Sequence, residues 1–372
     1  MAANPDPEGR ITIRVHPGAE TGCRVDIQSS RPQIAQRLLA GLEPPAAVQR
    51  IGRAFSLCGQ AQQAVAGLAC QAAQGWSGDA PTPEPVCREL ALEHAWRLLL
   101  DWPAEIGQTP ELPALLALRQ ATPEAFAATL EQVLTRHLLG EAPAQWLARS
   151  PEALADWLHQ SPTPTAARLA ALDHPASPPA VLPNTGAEPL PFLPPLADWT
   201  PDQATRLAHQ ALEEAGFCGA PTWQGTPAET GALVRTRGHP LLAAWMQTLP
   251  AADHSSQLFV RLLARLIEMA EMPGRFHTGR TTPMRAWHLA DNLGLAGVET
   301  ARGLLFHVVR LERGAIADYR ILAPTEWNFH PQGPLARSLA GLTPGPDLQR
   351  QARLLCQALD PCVAFDLEIE RA

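Results

Sequence analysis

The chain has 372 residues, 46% of them hydrophobic, with a mean hydropathy of -0.10 and a formal net charge of -8. This is the balance of a soluble acidic chain with enough residues for one large core or two ordinary ones, and it excludes a phosphate-driven nucleic-acid surface. All 29 basic residues are arginine, which excludes mechanisms that need a Schiff-base or phosphate-loop lysine.

No apolar run reaches the roughly 18 residues of a membrane span, and residues 1–10 lack the basic-then-apolar order of a signal peptide. The expected location is cytoplasmic, with no membrane contact. The 7 scattered cysteines read as reduced thiols rather than a disulfide framework.

Residues 11–28 alternate, Ile11, Ile13 and Val15 against Thr12, Arg14 and His16, then Val25 and Ile27 after Pro17-Gly18; this predicts a β-hairpin. Helical spacing follows at 34–42 and again at 60–74, which puts Cys58 at a helix N-terminus. Thr122-Pro123-Glu124, Ser150-Pro151-Glu152 and Thr200-Pro201-Asp202 each combine a capping oxygen, a proline and a carboxylate, so three helices start there. Prolines recur through 161–201, from Pro162 and Pro164 through Pro175, Pro178, Pro179, Pro183 and Pro189 to Pro191, Pro194 and Pro195. That pattern predicts an extended connector between a region 1–160 and a region 202–372.

Beyond the connector, Leu258, Phe259, Leu262, Leu263, Leu266 and Ile267 form a core stripe of a helix. Residues 304–311 and 316–322 predict a second hairpin around Arg313-Gly314. The alternation of Val363, Phe365, Leu367 and Ile369 predicts a last strand opened by Cys362. The fold class is α+β, mainly helical, with the first and last regions packing as one domain.

Two cysteines have a motif context. Cys58, in Leu57-Cys58-Gly59-Gln60-Ala61, lies where a helix N-terminus favours the thiolate. Cys362, in Asp360-Pro361-Cys362-Val363-Ala364-Phe365, follows a proline that fixes the chain and an aspartate able to bond backbone N–H groups. Between them lie Glu299-Thr300-Ala301-Arg302-Gly303 and Ala323-Pro324-Thr325-Glu326-Trp327-Asn328-Phe329.

Taken in order, these four motifs resemble the large subunit of nickel-iron hydrogenases. In that family each end of the chain supplies a Cys-x-x-Cys pair, and the four thiolates bind nickel and bridge it to an iron carrying cyanide and carbon monoxide. Here the partner positions are Ala61 and Phe365, and the histidine after the second pair is Glu368. A methyl or phenyl group cannot replace a soft thiolate, so no nickel is expected. The proton-carrying glutamate becomes His16, and Gln36 stands near a structural magnesium position.

The resemblance implies that Arg302, Pro324 and Thr325 form the cyanide-binding shell, which suits the acceptor character of cyanide nitrogen. A chain that has lost half the thiolates and kept this shell resembles the hydrogenase expression/formation proteins of the HupK or HoxV type. The implied role is a non-catalytic maturation factor that holds iron, with its cyanide and carbon monoxide ligands, between Cys58 and Cys362. Implied partners are the large subunit and its maturation chaperones. The alternative is a metal-free interaction module that mimics the large subunit to engage those chaperones.

Overall fold

The alternating residues near the start pair as expected, β1 (Arg10–Pro17) lying antiparallel to β2 (Cys23–Ser29) with Ile13 opposite Ile27 and Val15 opposite Val25. The computed structural model describes residues 9–18, 22–55, 57–173, 190–248, 258–279, 281 and 283–370. A second, antiparallel sheet runs in the order β3 (Gly78–Ala80), β4 (Met284–Ala290), β5 (Leu293–Thr300), β6 (Gly303–Glu312) and β7 (Ala315–Leu322). Its β6–β7 hairpin is the predicted one, and both turn residues, Arg313 and Gly314, have the positive φ that a tight two-residue turn needs.

β8 (Ala364–Ile369) returns to the first sheet and pairs in parallel with β1, Ile11 facing Phe365 and Ile13 facing Leu367. This pairing carries the last residues of the chain back to its beginning and delivers Cys362 to the N-terminal region. The exposed rungs are matched by charge, Arg10 to Asp366 at 2.7 Å and Arg14 to Glu368 at 2.9 Å.

The helix Gly59–Ala73 follows Cys58 and packs on β4, β5 and β6. Contact is close because Gly294 of β5 has no side chain: a Cβ there would meet the Ala73 nitrogen at 2.2 Å and the Ala69 carbonyl oxygen at 2.6 Å. Gly294→Ala is therefore expected to cost about 3 kcal/mol, the upper end for overpacking, because backbone atoms cannot rotate away. Urea unfolding of the variant checks this.

The helix Leu258–Thr278 runs through the centre, with Phe259, Leu262, Leu263, Leu266 and Ile267 of the predicted stripe in the core, Leu258 half-buried against it, and Arg261, Arg265 and Glu268 buried as well. These charges are paired, Arg261 by a bidentate contact to Glu229 at 2.9 Å and Glu268 by Arg235 and His94. Buried charge is tolerated where such partners exist.

Helices begin at Pro123, Pro151 and Pro201 as expected; Ser150 caps its helix through the Ala153 N–H, and Thr200 forms a capping box with Gln203. The proline-rich stretch differs from an extended chain in its first part, where Pro164–Asp173 is helical. Pro164 sits at the helix start, where its missing N–H costs nothing. Pro175, Pro178, Pro179, Pro183 and Pro189 lie outside the described residues. Among the described residues no helix is long and apolar enough to cross a membrane.

Candidate functional site

Cys58 is the residue immediately before the helix Gly59–Ala73 and is half-buried. Its surroundings overturn the expectation of a thiolate. The Glu89 carboxylate takes the free N–H groups of the first turn, accepting from Gln60 and Ala61 at 3.0 Å each. Burial pushes the Cys58 thiol up to about 12, with Cys362 and Glu89 adding to the rise and Arg302 and Arg31 opposing it. The free protein therefore carries a thiol here, and a metal that binds it displaces a proton.

One helical turn on, Gln62 presents its amide Nε2 to the Cys58 sulfur at 3.7 Å and its Oε1 to His307 Nε2 at 2.8 Å. Tyr319 O–H meets His307 Nδ1 at 2.6 Å. Burial pushes His307 down to about 3, so the ring is neutral, donating from Nε2 and accepting at Nδ1. A fully satisfied polar chain thus orients the side chain behind the sulfur.

Cys362 is buried before β8, at the end of the helix Leu348–Leu359 and the Asp360 turn. Thr325, in the first turn of the helix Pro324–Asn328, holds it from two directions. The Thr325 hydroxyl donates to the Cys362 sulfur at 3.0 Å and accepts from its backbone N–H at 3.1 Å. Pro324 opens that helix and is buried.

Among the described residues Asp360 meets side chains rather than the backbone N–H groups that the sequence suggested. It is fully buried and faces three guanidiniums, bonding Arg97 Nε at 2.7 Å and lying 3.4 Å from both Arg265 and Arg302.

Arg302 sits in the tight turn between β5 and β6, buried, with its Nη2 on Glu93 at 2.6 Å. Its charge interacts with both cysteines. Among the described residues its Nε is buried without a hydrogen-bond partner, an orphan donor of the kind native proteins rarely leave unused. The turn is fastened by Asn328, which donates to the Arg302 carbonyl at 3.2 Å and exchanges bonds with the Thr230 backbone at 3.0 Å. The two central motifs are thus tied together directly by Asn328, and Thr230, to which no sequence motif points, braces the junction by bonding Asn328 and the Leu304 N–H.

The two cysteines line one cavity of about 90 Å³, with Arg31, Glu326 and an apolar wall that includes Leu38 and Phe55. Arg31, partly buried, and Glu326, buried, form an ion pair at 2.7 Å. The other positions singled out by motif lie elsewhere. His16 pairs with Glu370 at 3.0 Å on the first sheet, and Glu368 is held by Arg14. Gln36 spends its amide on β7, accepting from the Tyr319 N–H and donating to the Ala317 carbonyl. Ala61 is buried in the helix, and Phe365 lies on β8.

A family profile described as nickel-dependent hydrogenase matches residues 241–366. The hydrogenase expression/formation protein HoxV of Cupriavidus necator is 34% identical, covering 97% of this chain and 95% of its own. HupK of Rhizobium leguminosarum bv. viciae is 30% identical, covering 98% of this chain and 97% of its own. HupK of Azotobacter vinelandii is 31% identical, covering 97% and 98%. Among solved structures, the nickel-iron-selenium hydrogenase of D. vulgaris Hildenborough matches with a TM-score of 0.53 in the reduced state and 0.54 in the oxidised state, at 16% and 15% identity. The alignments cover 93% and 95% of this chain and 94% and 98% of theirs. This is the hydrogenase-like α+β architecture that the motifs implied.

Proposed function

The chain belongs to the hydrogenase expression/formation proteins of the HoxV and HupK type, and on that premise we propose that it acts in maturation as a scaffold for the iron unit of the hydrogenase centre. Cys58 and Cys362 hold an iron bearing two cyanides and a carbonyl as cargo, without nickel, until it passes to the large subunit. The protein itself carries out no catalytic turnover in this reading.

The observation that carries the proposal is the convergence of Cys58 and Cys362, from opposite ends of the chain, on one cavity, with the Arg302 guanidinium near enough for its charge to act on both sulfurs and its Nε without a hydrogen-bond partner among the described residues. A water needs about 10–15 Å³ of such space, so the cavity holds several water-sized groups, the scale of an iron with three diatomic ligands. Soft thiolates suit low-valent iron, and two of them bind less permanently than four. The Arg302 Nε–H supplies a donor for a cyanide nitrogen. The Thr325 hydroxyl, which now bonds the Cys362 sulfur, turns to a second one when that sulfur takes the metal. Both are charge- or dipole-matched to an acceptor with partial negative charge.

The test is complementation of a host that lacks this gene with the double variant C58S/C362S. Loss of active hydrogenase, with the variant protein present at normal levels, is the expected outcome. Full restoration would instead favour a metal-free module that imitates the large subunit to engage its chaperones.

A further inference from the structure

Neither Arg31 nor Glu326 belongs to the shell assigned above, yet both face the cavity that the two cysteines share. Glu326 is buried, one of its oxygens bonded to Arg31 Nη1 at 2.7 Å, and among the described residues the other oxygen, Oε2, has no partner. Burial works against the Arg31 charge, and neighbouring Cys362, Glu326 and Cys58 more than offset it. The cation therefore lies within electrostatic reach of both sulfurs. The charges of Arg302 and Glu89 also act on Cys58, and that of Arg302 on Cys362.

Two cysteines and a carboxylate around one cavity are a donor set that tetrahedral divalent metals such as zinc or cobalt accept readily. Among the described residues, however, no three His, Cys, Asp or Glu side chains are grouped to hold a metal. The Glu326 carboxylate is bonded to Arg31 instead. A guanidinium never loses its charge in a protein, and here it stands where a metal cation would neutralise the carboxylate.

We propose that Arg31, by holding Glu326, is the residue that restricts this cavity to two sulfur ligands and so keeps it from retaining bare divalent cations. Its internal cation substitutes for an external one. Glu326 remains a carboxylate without a metal, and the cysteines stay available for cargo that brings its own ligands. The inference deepens the scaffold reading and rests on it for its purpose; the cobalt assay needs no iron unit, so either can fail without the other.

The experiment is titration of the full-length, reduced, metal-free protein with Co²⁺ alone, read by sulfur-to-cobalt charge-transfer absorption. Arg31→Gln is expected to tighten binding at least about tenfold, since freeing one ligand or its supporting partner typically moves metal affinity about 10–100-fold. Adding Glu326→Gln to that variant should abolish the gain, and Arg31→Lys, which keeps the charge, should behave as the unaltered protein. Equal cobalt affinity with and without Arg31, or a gain that survives loss of Glu326, overturns the proposal.

Should Arg31→Gln fail to fold, Glu326→Gln alone still decides. It leaves cobalt affinity unchanged if Arg31 already sequesters the carboxylate, and a fall in affinity would refute the role.

Discussion

Protein carrying Cys58→Ser or Cys362→Ser should be isolated without the cyanide and carbonyl infrared bands expected of the unaltered scaffold, while keeping its fold. The chemistry of the ligand drives the size of this effect. A serine hydroxyl stays protonated near neutral pH and offers a hard oxygen where a soft thiolate is needed. Packing changes little, because oxygen replaces sulfur at the same branch point, and an ordinary stability cost of about 1 kcal/mol is expected. The two variants should differ in one respect. Cys362 exchanges two bonds with Thr325, and a serine there can still make them, whereas Cys58 is contacted at 3.7 Å by the Gln62 amide. Circular dichroism and thermal unfolding separate lost binding from lost structure.

Asp360→Asn should be the most damaging single substitution for the fold itself. Three guanidiniums, Arg97, Arg265 and Arg302, converge on one fully buried carboxylate. Removing its charge takes away the carboxylate that Arg265 pairs with and leaves Arg97 and Arg302 to Asp101 and Glu93, and breaking a buried pair from one side costs about 3–5 kcal/mol. Burial alone would raise the Asp360 pKa, but Arg302, Arg97 and Arg265 outweigh it and hold the carboxyl well below the usual carboxylate range.

The sign of the pH dependence follows from that direction. A pKa lower in the folded state than its unfolded value of about 3.9 contributes stability that is complete above roughly pH 5 and is lost as the pH falls towards the folded value. The stability difference between the two proteins should therefore be constant from about pH 5 upward and shrink in stronger acid. Denaturant unfolding at several pH values measures it. A difference independent of pH through that range would show that the carboxylate charge is not what holds the arginines.

The hairpin β1–β2 was legible because one face of its strands is apolar and its turn carries a Pro-Gly pair, and β6–β7, though β6 is buried on both faces, because two apolar runs flank Arg313-Gly314. β4 and β5 were not, and β5 shows why. Every residue of Leu293–Thr300 is buried, so the period-two signal vanishes and the strand reads as an apolar run with glycines. The parallel pairing of β8 with β1 lies between opposite ends of the chain, and no local pattern encodes it.

At the site, Cys58, Cys362, Arg302 and Thr325 were legible only as an ordered set of motifs. Arg31 and Glu326 are 295 positions apart in the chain, and their pairing exists only after the first sheet and the helix Pro324–Asn328 are in place. Gln62 had a readable signal, since a residue four positions after Cys58 lies on the same helix face. His307 had none, because its role depends on Gln62 and Tyr319 meeting it from separate elements. The thiolate expectation for Cys58 failed chiefly because burial disfavours the anion, and the fold adds Glu89, from the following helix, on the N–H groups that would have stabilised it.

The most direct test of the account is infrared spectroscopy, in the cyanide and carbonyl stretching region, of the full-length protein purified anaerobically from a host with its hydrogenase maturation genes intact, with iron and nickel assayed on the same sample. The account predicts cyanide and carbonyl bands together with iron and without nickel. A protein free of bands and of iron that still captures the large subunit or its chaperone would contradict it.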